Sequence, residues 1–511
     1  MEHSSASCFF TPFTEYEICQ LLAGLKTTSG PGPDGLHPKI LKDARLHISK
    51  PLAHIFNLSL SSSRVPRLLK QARIIPLYKG GGDPSSPSNY RPISILSSCA
   101  KILEKGIYNR IQTFLGEDFF YVRQFGFRKN CNTSVALSEL INSICHNLER
   151  GKFSVGVFLD LAKAFDCVDH STLLMKLERI GFRGSTLAWF SDYLSGRQQQ
   201  LRSHTGILKC GVPQGSTLGP LLFLIYINDI QHYIKYGELR LFADDTNIFY
   251  SGTDPADVEA KIISDLRCID EWLLLNKLAP NINKSHYMYI RSSGTPHYPD
   301  LKLYLRDQVI ARTHEVKYLG VIIDETLSWK SQIQKLSLKV GSVVGCISHL
   351  RWKIPRELLK PIYFTLIQSL LTYCIEVWGS AYEYNLKPLI LAQKRIIRII
   401  TFSPFLCHTA PLFKELNIMT VRQLYVYKTC IVVHKELLGL PCQYRFGFTT
   451  ASHVYRTRTS TGITVKIPNL FKKLNVSLQC ISQAGPRLYN ALPDFCKRSS
   501  SVPVFKSAIR K

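Results

Sequence analysis

Leu239–Tyr250 reads L-R-L-F-A-D-D-T-N-I-F-Y. Apolar and aromatic residues dominate both flanks, the pattern of two short strands, and Asp244 and Asp245 fall side by side where a tight hairpin turn is expected. Adjacent carboxylates on an apolar hairpin repel each other, and burial disfavours their ionised forms. A bound cation offsets both costs. A solvated Asp turn explains an isolated pair as simply, so the meaning of this pair depends on other acids in the chain.

Working outward, Phe153–Asp160 (F-S-V-G-V-F-L-D) is a buried-strand pattern that ends in a carboxylate, well placed to face a site at the sheet edge. Gly211-V-P-Q-G-S-T-L-Gly219 is a Gly-rich loop that feeds an apolar helix over Pro220–Ile230. Such a loop lets backbone approach a ligand closely. Further upstream, Gln71–Lys79 is predicted to be a strand with basic residues at both ends. It is followed by Gly80–Gly82 and a return through Asn89–Ser94. Arg73, Lys79 and Arg91 project from that hairpin either toward a triphosphate or simply into solvent.

Helices are expected from Thr14 to about Lys26, over 38–63, 96–116 and 133–150, from near His170–Ser171, and over 256–275, with Thr14-x-x-Glu17 as a capping box. His286–Ile290 and Val316–Ile323 read as strands. After Trp329 the pattern becomes helical, with Ile333, Leu336, Val340, Val343, Ile347 and Leu350 as the apolar stripe. Lys335 and Lys339 lie off that stripe. Lys394, Arg395 and Arg398 lie on a second helix near 385–400, so both helices have a basic outer side. Gly30, Gly32 and Gly35 match G-x-G-x-x-G, but a helix precedes them, and Pro31 and Pro33 remove backbone donors. A dinucleotide site is therefore rejected.

At 511 residues with 45% hydrophobic content, the chain is long enough for about three or four globular domains. No apolar run reaches the roughly 18 residues of a membrane span. No secretory signal is visible, which points to an intracellular protein of nucleus or cytoplasm. Fifteen cysteines without a C-x-x-C fit reduced thiols better than a zinc ribbon or a disulfide scaffold. Residues 330–511 hold 27 Lys and Arg against six acids, a balance of +21 that leaves +6 for the rest. A polyanionic partner follows, nucleic acid before anionic membrane.

A strand-end acid, a Gly-rich loop and an Asp-Asp hairpin suggest cations clamped by carboxylates, which activate a hydroxyl and stabilise a leaving pyrophosphate. The chain resembles the reverse transcriptases of non-LTR (LINE-type) retrotransposons, most of all the jockey group. The motifs are Arg73-I-I-P-L-Y-Lys79, Asn89-Y-R-P-I-S, Gln124-F-G-F-R, Phe158-L-D-L-A-K-A-F-Asp166, Gly211-V-P-Q-G-S-T-L-G-P, Phe242-A-D-D, Asn283-Lys284 and Tyr318-L-G. Gly485-P-R-L-Y-N-A-L-Pro493 also looks like the closing segment of such proteins.

The resemblance implies an α+β fold, a right hand with fingers (1–150, including an N-terminal extension), palm with an antiparallel sheet (151–325), helical thumb (326–405) and a basic, mostly helical C-terminal domain (406–511). Asp160, Asp244 and Asp245 would be catalytic and, with the Leu161 carbonyl, would hold two Mg²⁺ ions or Mn²⁺. Phe165 would stack under the sugar and exclude a 2′-hydroxyl, the feature that separates ribose from deoxyribose. Lys79, Arg91 and Arg73 would hold the triphosphate, Gln214 and Gly215 the incoming nucleotide, and Lys284 the pyrophosphate. Lys335, Lys339, Lys394, Arg395 and Arg398 would grip the nucleic-acid duplex.

The implied partners are an RNA template, a DNA primer or target and dNTPs, with no membrane. About 30 residues precede the first motif, so a truncated copy or isolated module is expected, with any endonuclease supplied separately. A catalytically silent nucleic-acid-binding remnant is the alternative. Cys407, His408, Cys430 and His434 lack zinc-knuckle spacing and are expected to be core or surface residues.

Overall fold

A computed structural model describes residues 5–292, 294, 298–440, 445–450, 463–467, 474 and 478–510. The fold is α+β. The first eight strands are β1 Gln71–Tyr78, β2 Tyr90–Leu96, β3 Phe153–Leu159, β4 Gln198–Leu201, β5 His204–Ile207, β6 Glu238–Phe242, β7 Asp245–Gly252 and β8 His286–Ile290. The chain divides into two compact units: Met1–Phe127, Asp160–Lys235 and Asp265–Asn281 form one, and Arg128–Leu159, Tyr236–Ser264 and Ile282–Lys511 the other.

The first unit holds a four-stranded sheet in the order β2-β1-β4-β5. Its first helix, Glu15–Ala23, starts where Thr14 accepts from the Glu17 amide at 3.1 Å, satisfying one orphan donor of the first turn. Helices Pro38–Asp43 and Arg45–Ser62 follow. Gly32 cannot be replaced cheaply, because a Cβ there would meet Ser97 Cα at 2.6 Å. Packing against backbone, not phosphate binding, therefore accounts for this glycine. The helix Leu218–Ile227 has every residue from Leu221 to Ile227 buried, as expected of a helix apolar all round. It begins two residues earlier than the predicted Pro220 and passes at Asn228 into a 3₁₀ turn ending at Tyr233.

The second unit holds a five-stranded sheet, in which Ala311–Arg312, β8, β3, β7 and β6 are neighbours in that order. β3 lies between antiparallel partners and is buried at every position, which is why its sequence is a continuous apolar run. The Thr133–Glu149 helix buries Leu137, Leu140, Ile141 and Ile144 in the same core as Phe158, Phe249 and Met288. Inside this unit Arg240 of β6 is 1% exposed and pairs with Glu139 of that helix and with Glu238.

Val316–Ile323 is two strands rather than one. Glu315–Tyr318 and Val321–Asp324 pair antiparallel, and the chain turns at Leu319 and Gly320 with φ of 46° and 83°. The Asp324 carboxylate then accepts from the Ser328 and Trp329 amides at 2.9 and 2.8 Å, ordering the turn that starts the helix Lys330–Leu350. On that helix Val344 is buried in place of Val343, and Leu350 is exposed. Glu383–Thr401 is the second long helix of the region.

The described part of residues 406–510 is mainly helical, with Thr409–Glu415, Val421–Leu437, Ile481–Asn490, Asp494–Lys497 and Val502–Ala508. Cys430, Val433, Tyr489 and Phe505 form a small core there. His434 is a core residue, stacked on Phe505 at 3.9 Å and bonded through Nδ1 to the Tyr489 hydroxyl. Fourteen cysteines are free, and Cys442 lies outside the described residues. Among the described residues no helix is long and apolar enough to cross a membrane.

Candidate active site

Asp160 directly follows β3. Its side chain accepts from Asn281 Nδ2 at 3.0 Å and its carbonyl from the Asn281 amide at 2.8 Å, while Leu161 bridges Pro280. The segment behind the acid is thus sewn to Ala279–Asn281, and one carboxylate oxygen is oriented by a neutral amide. No local pattern singles out Asn281, because only the fold brings it to Asp160.

Asp245 opens β7 opposite Phe242, leaving Ala243 and Asp244 as a two-residue turn. Ala243 is buried with φ of 55°, a left-handed conformation that costs an L-residue about 1–2 kcal/mol. Strain of this kind is characteristic of positions held for function. β3 and β7 pair through Leu159 and Thr246, the residues just before Asp160 and just after Asp245. Beside Asp245 is Tyr318, whose hydroxyl is buried without a hydrogen-bond partner among the described residues. Burial pushes its phenol above the ordinary range, and the Asp245 charge adds to the shift.

Phe165 and the Gly-rich loop lie in the first unit. The Phe165 ring stacks on Phe223 at 4.2 Å and meets Phe127 edge-on at 5.9 Å, so its position is fixed by packing. Its carbonyl accepts from the Val212 amide at 2.9 Å, and Val168 accepts from Gly211 at 2.7 Å. Gln214 Nε2 donates to Asp166 Oδ1 at 2.9 Å, and the Gln214 carbonyl accepts from the Ser94 amide at 2.7 Å. Burial raises the Asp166 carboxyl, while the Gln214 hydrogen bond and the charges of Lys163 and Lys79 oppose the rise. Asp166 stood within a recognised motif, but its partnership with Gln214 was not legible there.

The loop is held from behind by Glu104, which is 2% exposed. Glu104 accepts from the Thr217 amide at 2.6 Å and the Tyr193 hydroxyl at 2.7 Å. Burial raises its carboxyl, with the Arg197 charge opposing. No motif pointed to Glu104, since an acid inside an amphipathic helix normally reads as solvent-facing.

On the β1–β2 hairpin, Arg91 lies opposite Leu77, and Lys79 donates from its amide to Asn89. Alternation along a strand therefore puts Arg73, Lys79 and Arg91 on one face. All three are exposed, with Lys79 Nζ bonded to the Ser88 carbonyl and the Arg73 guanidinium to that of Pro31. Six residues separate Arg73 from Lys79, about 20 Å of strand, so Lys79 and Arg91 form the close pair.

Lys284 is exposed in the 3₁₀ turn just before β8. Lys335, Lys339 and Arg395 are exposed on their helices, Lys394 is half-buried, and Arg398 donates Nε to the Cys407 carbonyl at 2.9 Å. Among the described residues no three His, Cys, Asp or Glu side chains are gathered to hold a metal ion.

Residues 78–323 match the family model described as reverse transcriptase (RNA-dependent DNA polymerase). Residues 78–323 are a reverse transcriptase domain. The domain contains the Asp-Asp hairpin, Asp160, Phe165 and the Gly-rich loop.

Among proteins similar to the chain is the probable RNA-directed DNA polymerase from transposon BS of Drosophila melanogaster, 26% identical over 435 residues, 81% of this chain and 47% of that protein. The RNA-directed DNA polymerase from mobile element jockey of Drosophila funebris is 28% identical over 422 residues, 80% of this chain and 46% of that protein. These relatives agree with the resemblance to non-LTR retrotransposon polymerases. The chain spans about half the length of the curated relatives it matches.

Proposed function

We propose that the chain is an RNA-directed DNA polymerase of a non-LTR retrotransposon, extending a DNA primer on an RNA template with dNTPs. The observation that carries this reading is the reverse transcriptase domain, with the strand-end Asp160, the strained turn at Ala243 and Asp244, and Asp245 inside it.

Reverse transcriptases use divalent metal ions. Asp160, Asp244, Asp245 and the Leu161 carbonyl offer hard oxygen donors, with no thiolate or imidazole, and this chemistry suits Mg²⁺ or Mn²⁺. Mg²⁺ is commonly held by one or two carboxylates with substrate phosphates completing its shell. Two such ions, when bound, would favour the primer 3′-alkoxide and neutralise the departing pyrophosphate.

The protein's own part is positioning. Asn281 orients Asp160, and the ring of Phe165, held by Phe223, would exclude a 2′-hydroxyl. Asp166 and Ser94 fix both the side chain and backbone of Gln214, and Gly215 lets the loop approach the nucleotide. Lys79 and Arg91 hold triphosphate oxygens, with Arg73 farther along the same face, and Lys284 serves the pyrophosphate. Lys335, Lys339, Lys394, Arg395 and Arg398 meet duplex phosphates, a contact that weakens as salt rises.

In this reading 1–150 are fingers with an N-terminal extension, 151–325 palm, 326–405 thumb and 406–511 a basic C-terminal domain. The antiparallel β3, β6 and β7 and the helices after Lys330 support these assignments.

Primer extension on an RNA template with Mg²⁺ tests the function. Incorporation of dNTPs in strong preference to NTPs is expected. Nucleic-acid binding without synthesis would favour a catalytically silent remnant.

A further inference from the structure

The second unit contains a cavity of about 840 Å³, bordered by the start of the Thr133–Glu149 helix, residues 368–376, the Val421–Leu437 helix and the C-terminal helix. Its chemistry is lopsided. Lys428, Lys435, Lys506 and Arg510 line it, and none of the four makes an ion pair among the described residues. Four cations around one cavity that holds two carboxylates leave an excess of positive charge, which an added anion would offset.

Two acids also border the cavity, and they differ. Glu436 is committed, accepting from the Phe446, Gly447 and Phe448 amides at 2.9, 2.7 and 3.0 Å. Glu376 is 8% exposed, and among the described residues its carboxylate accepts from Ser134 Oγ at 3.4 Å and from its own backbone amide. Burial raises its carboxyl, with the Lys428 and Lys435 charges opposing. Gln368 Oε1, also buried, has no hydrogen-bond partner among the described residues, and Gln368 borders the same space. The wall therefore presents acceptors within a cationic rim.

A ligand made only of phosphates would satisfy the cations and leave the Glu376 and Gln368 acceptors without donors. A nucleotide strand satisfies both, because its phosphates are anionic while its bases carry amino and imino donors. Aromatic surface is available as well: Tyr373, 43% exposed, and Phe446 both line the cavity. Unpaired bases stack on such rings.

We propose that this cavity binds single-stranded RNA, with one base directed at Glu376 and the neighbouring phosphates on Lys428, Lys435, Lys506 and Arg510. The Glu376 carboxylate and Gln368 Oε1 offer two acceptors, which the two hydrogens of cytosine's exocyclic amino group suit. Uracil has a single imino donor flanked by two carbonyl oxygens, so cytosine is preferred over uracil. The choice of RNA over DNA rests on the proposed polymerase reading, whereas the cavity and its charges do not depend on it.

The test is equilibrium binding of short labelled oligocytidylate, oligouridylate and oligodeoxycytidylate to the full chain, with no synthesis required. Tighter binding of oligocytidylate than of the other two is expected, together with photocrosslinks at Tyr373 or Phe446. Reversing Lys428→Glu and Lys435→Glu together should weaken binding by roughly tenfold or more at low salt. Glu376→Gln should keep the affinity and lose the preference for cytosine over uracil.

Unchanged binding in the charge-reversed protein, with crosslinks elsewhere, would overturn the proposal. So would equal affinity for all three oligonucleotides, or complete displacement by inositol hexakisphosphate with no base preference, which would leave an anion cavity only. A chain that binds in this way but synthesises no DNA would keep this site and lose the polymerase reading.

Discussion

The carbonyl oxygen of Ser94 lies 2.5 Å from the position a Cβ would occupy on Gly215. Gly215 also has φ of 118°, a conformation L side chains rarely adopt. Gly215→Ala should therefore lift the Gly-rich loop from β2, at a cost of about 1–3 kcal/mol. If the loop contacts the incoming nucleotide, the KM for dNTP should rise roughly ten- to hundredfold. Steady-state kinetics on a primed RNA template would check this, and an unchanged KM would separate the loop from nucleotide binding.

Arg240 and Glu139 form a pair in which both side chains are 1% exposed. Removing one partner of a buried pair costs about 3–5 kcal/mol when the other charge is left alone. Here Glu238, bonded to Arg240 at 2.8 Å, keeps part of the compensation, so a loss of about 2–4 kcal/mol is expected. Glu139→Ala should show that loss in denaturant unfolding, and joint replacement of both residues by apolar side chains should recover much of it. A loss below about 1 kcal/mol would mean that Glu238 or water compensates Arg240 without Glu139.

Asp169 caps the His170–Arg179 helix, accepting from the Thr172 amide at 2.9 Å and from Lys277 at 2.9 Å. Burial pushes its carboxyl up, but hydrogen bonds from Ser171, Thr172 and Lys277 outweigh burial and hold it below the ordinary 3.8. A depressed folded-state pKa adds stability that is fully present above 3.8 and is lost as pH falls toward the folded value. Asp169→Ala should thus cost about 1–2 kcal/mol near neutrality. The gap from wild type should close only in acid, as unfolding measured against pH would show. A pH-independent gap would contradict this.

Phe165 is braced by Phe223 at 4.2 Å, so a smaller residue leaves a hole where the proposed sugar contact lies. Phe165→Val should raise NTP use relative to dNTP by roughly 10- to 100-fold. Competing incorporation on one template measures the ratio directly, and an unchanged ratio would reduce Phe165 to a packing residue.

Local features of the fold were legible in the sequence. The run of Phe153–Leu159, the period after Trp329 and the turn residues at Asp244 each announce their element through neighbouring positions. Partners set by the fold were not legible. Asn281 reaches Asp160 from 121 positions away and Gln214 reaches Asp166 from 48, and no local pattern encodes either contact. Arg240 sat in a flank read as apolar, because its compensating Glu139 lies in another element. The fold-back at Leu319 is not legible, since apolar residues continue on both sides and a left-handed Leu leaves no trace in composition. Among the site residues, the types in the motifs could be read, while the residues that orient them could not.

The most direct measurement is primer extension on an RNA template with Mg²⁺ and dNTPs, comparing wild type with Asp244→Asn and Asp160→Asn, each verified as folded. Full-length DNA is expected from the wild type and a loss of several orders of magnitude in both variants, with template–primer binding retained. Synthesis that survives both substitutions, or a wild-type protein that binds template–primer and makes no DNA, would contradict the polymerase reading.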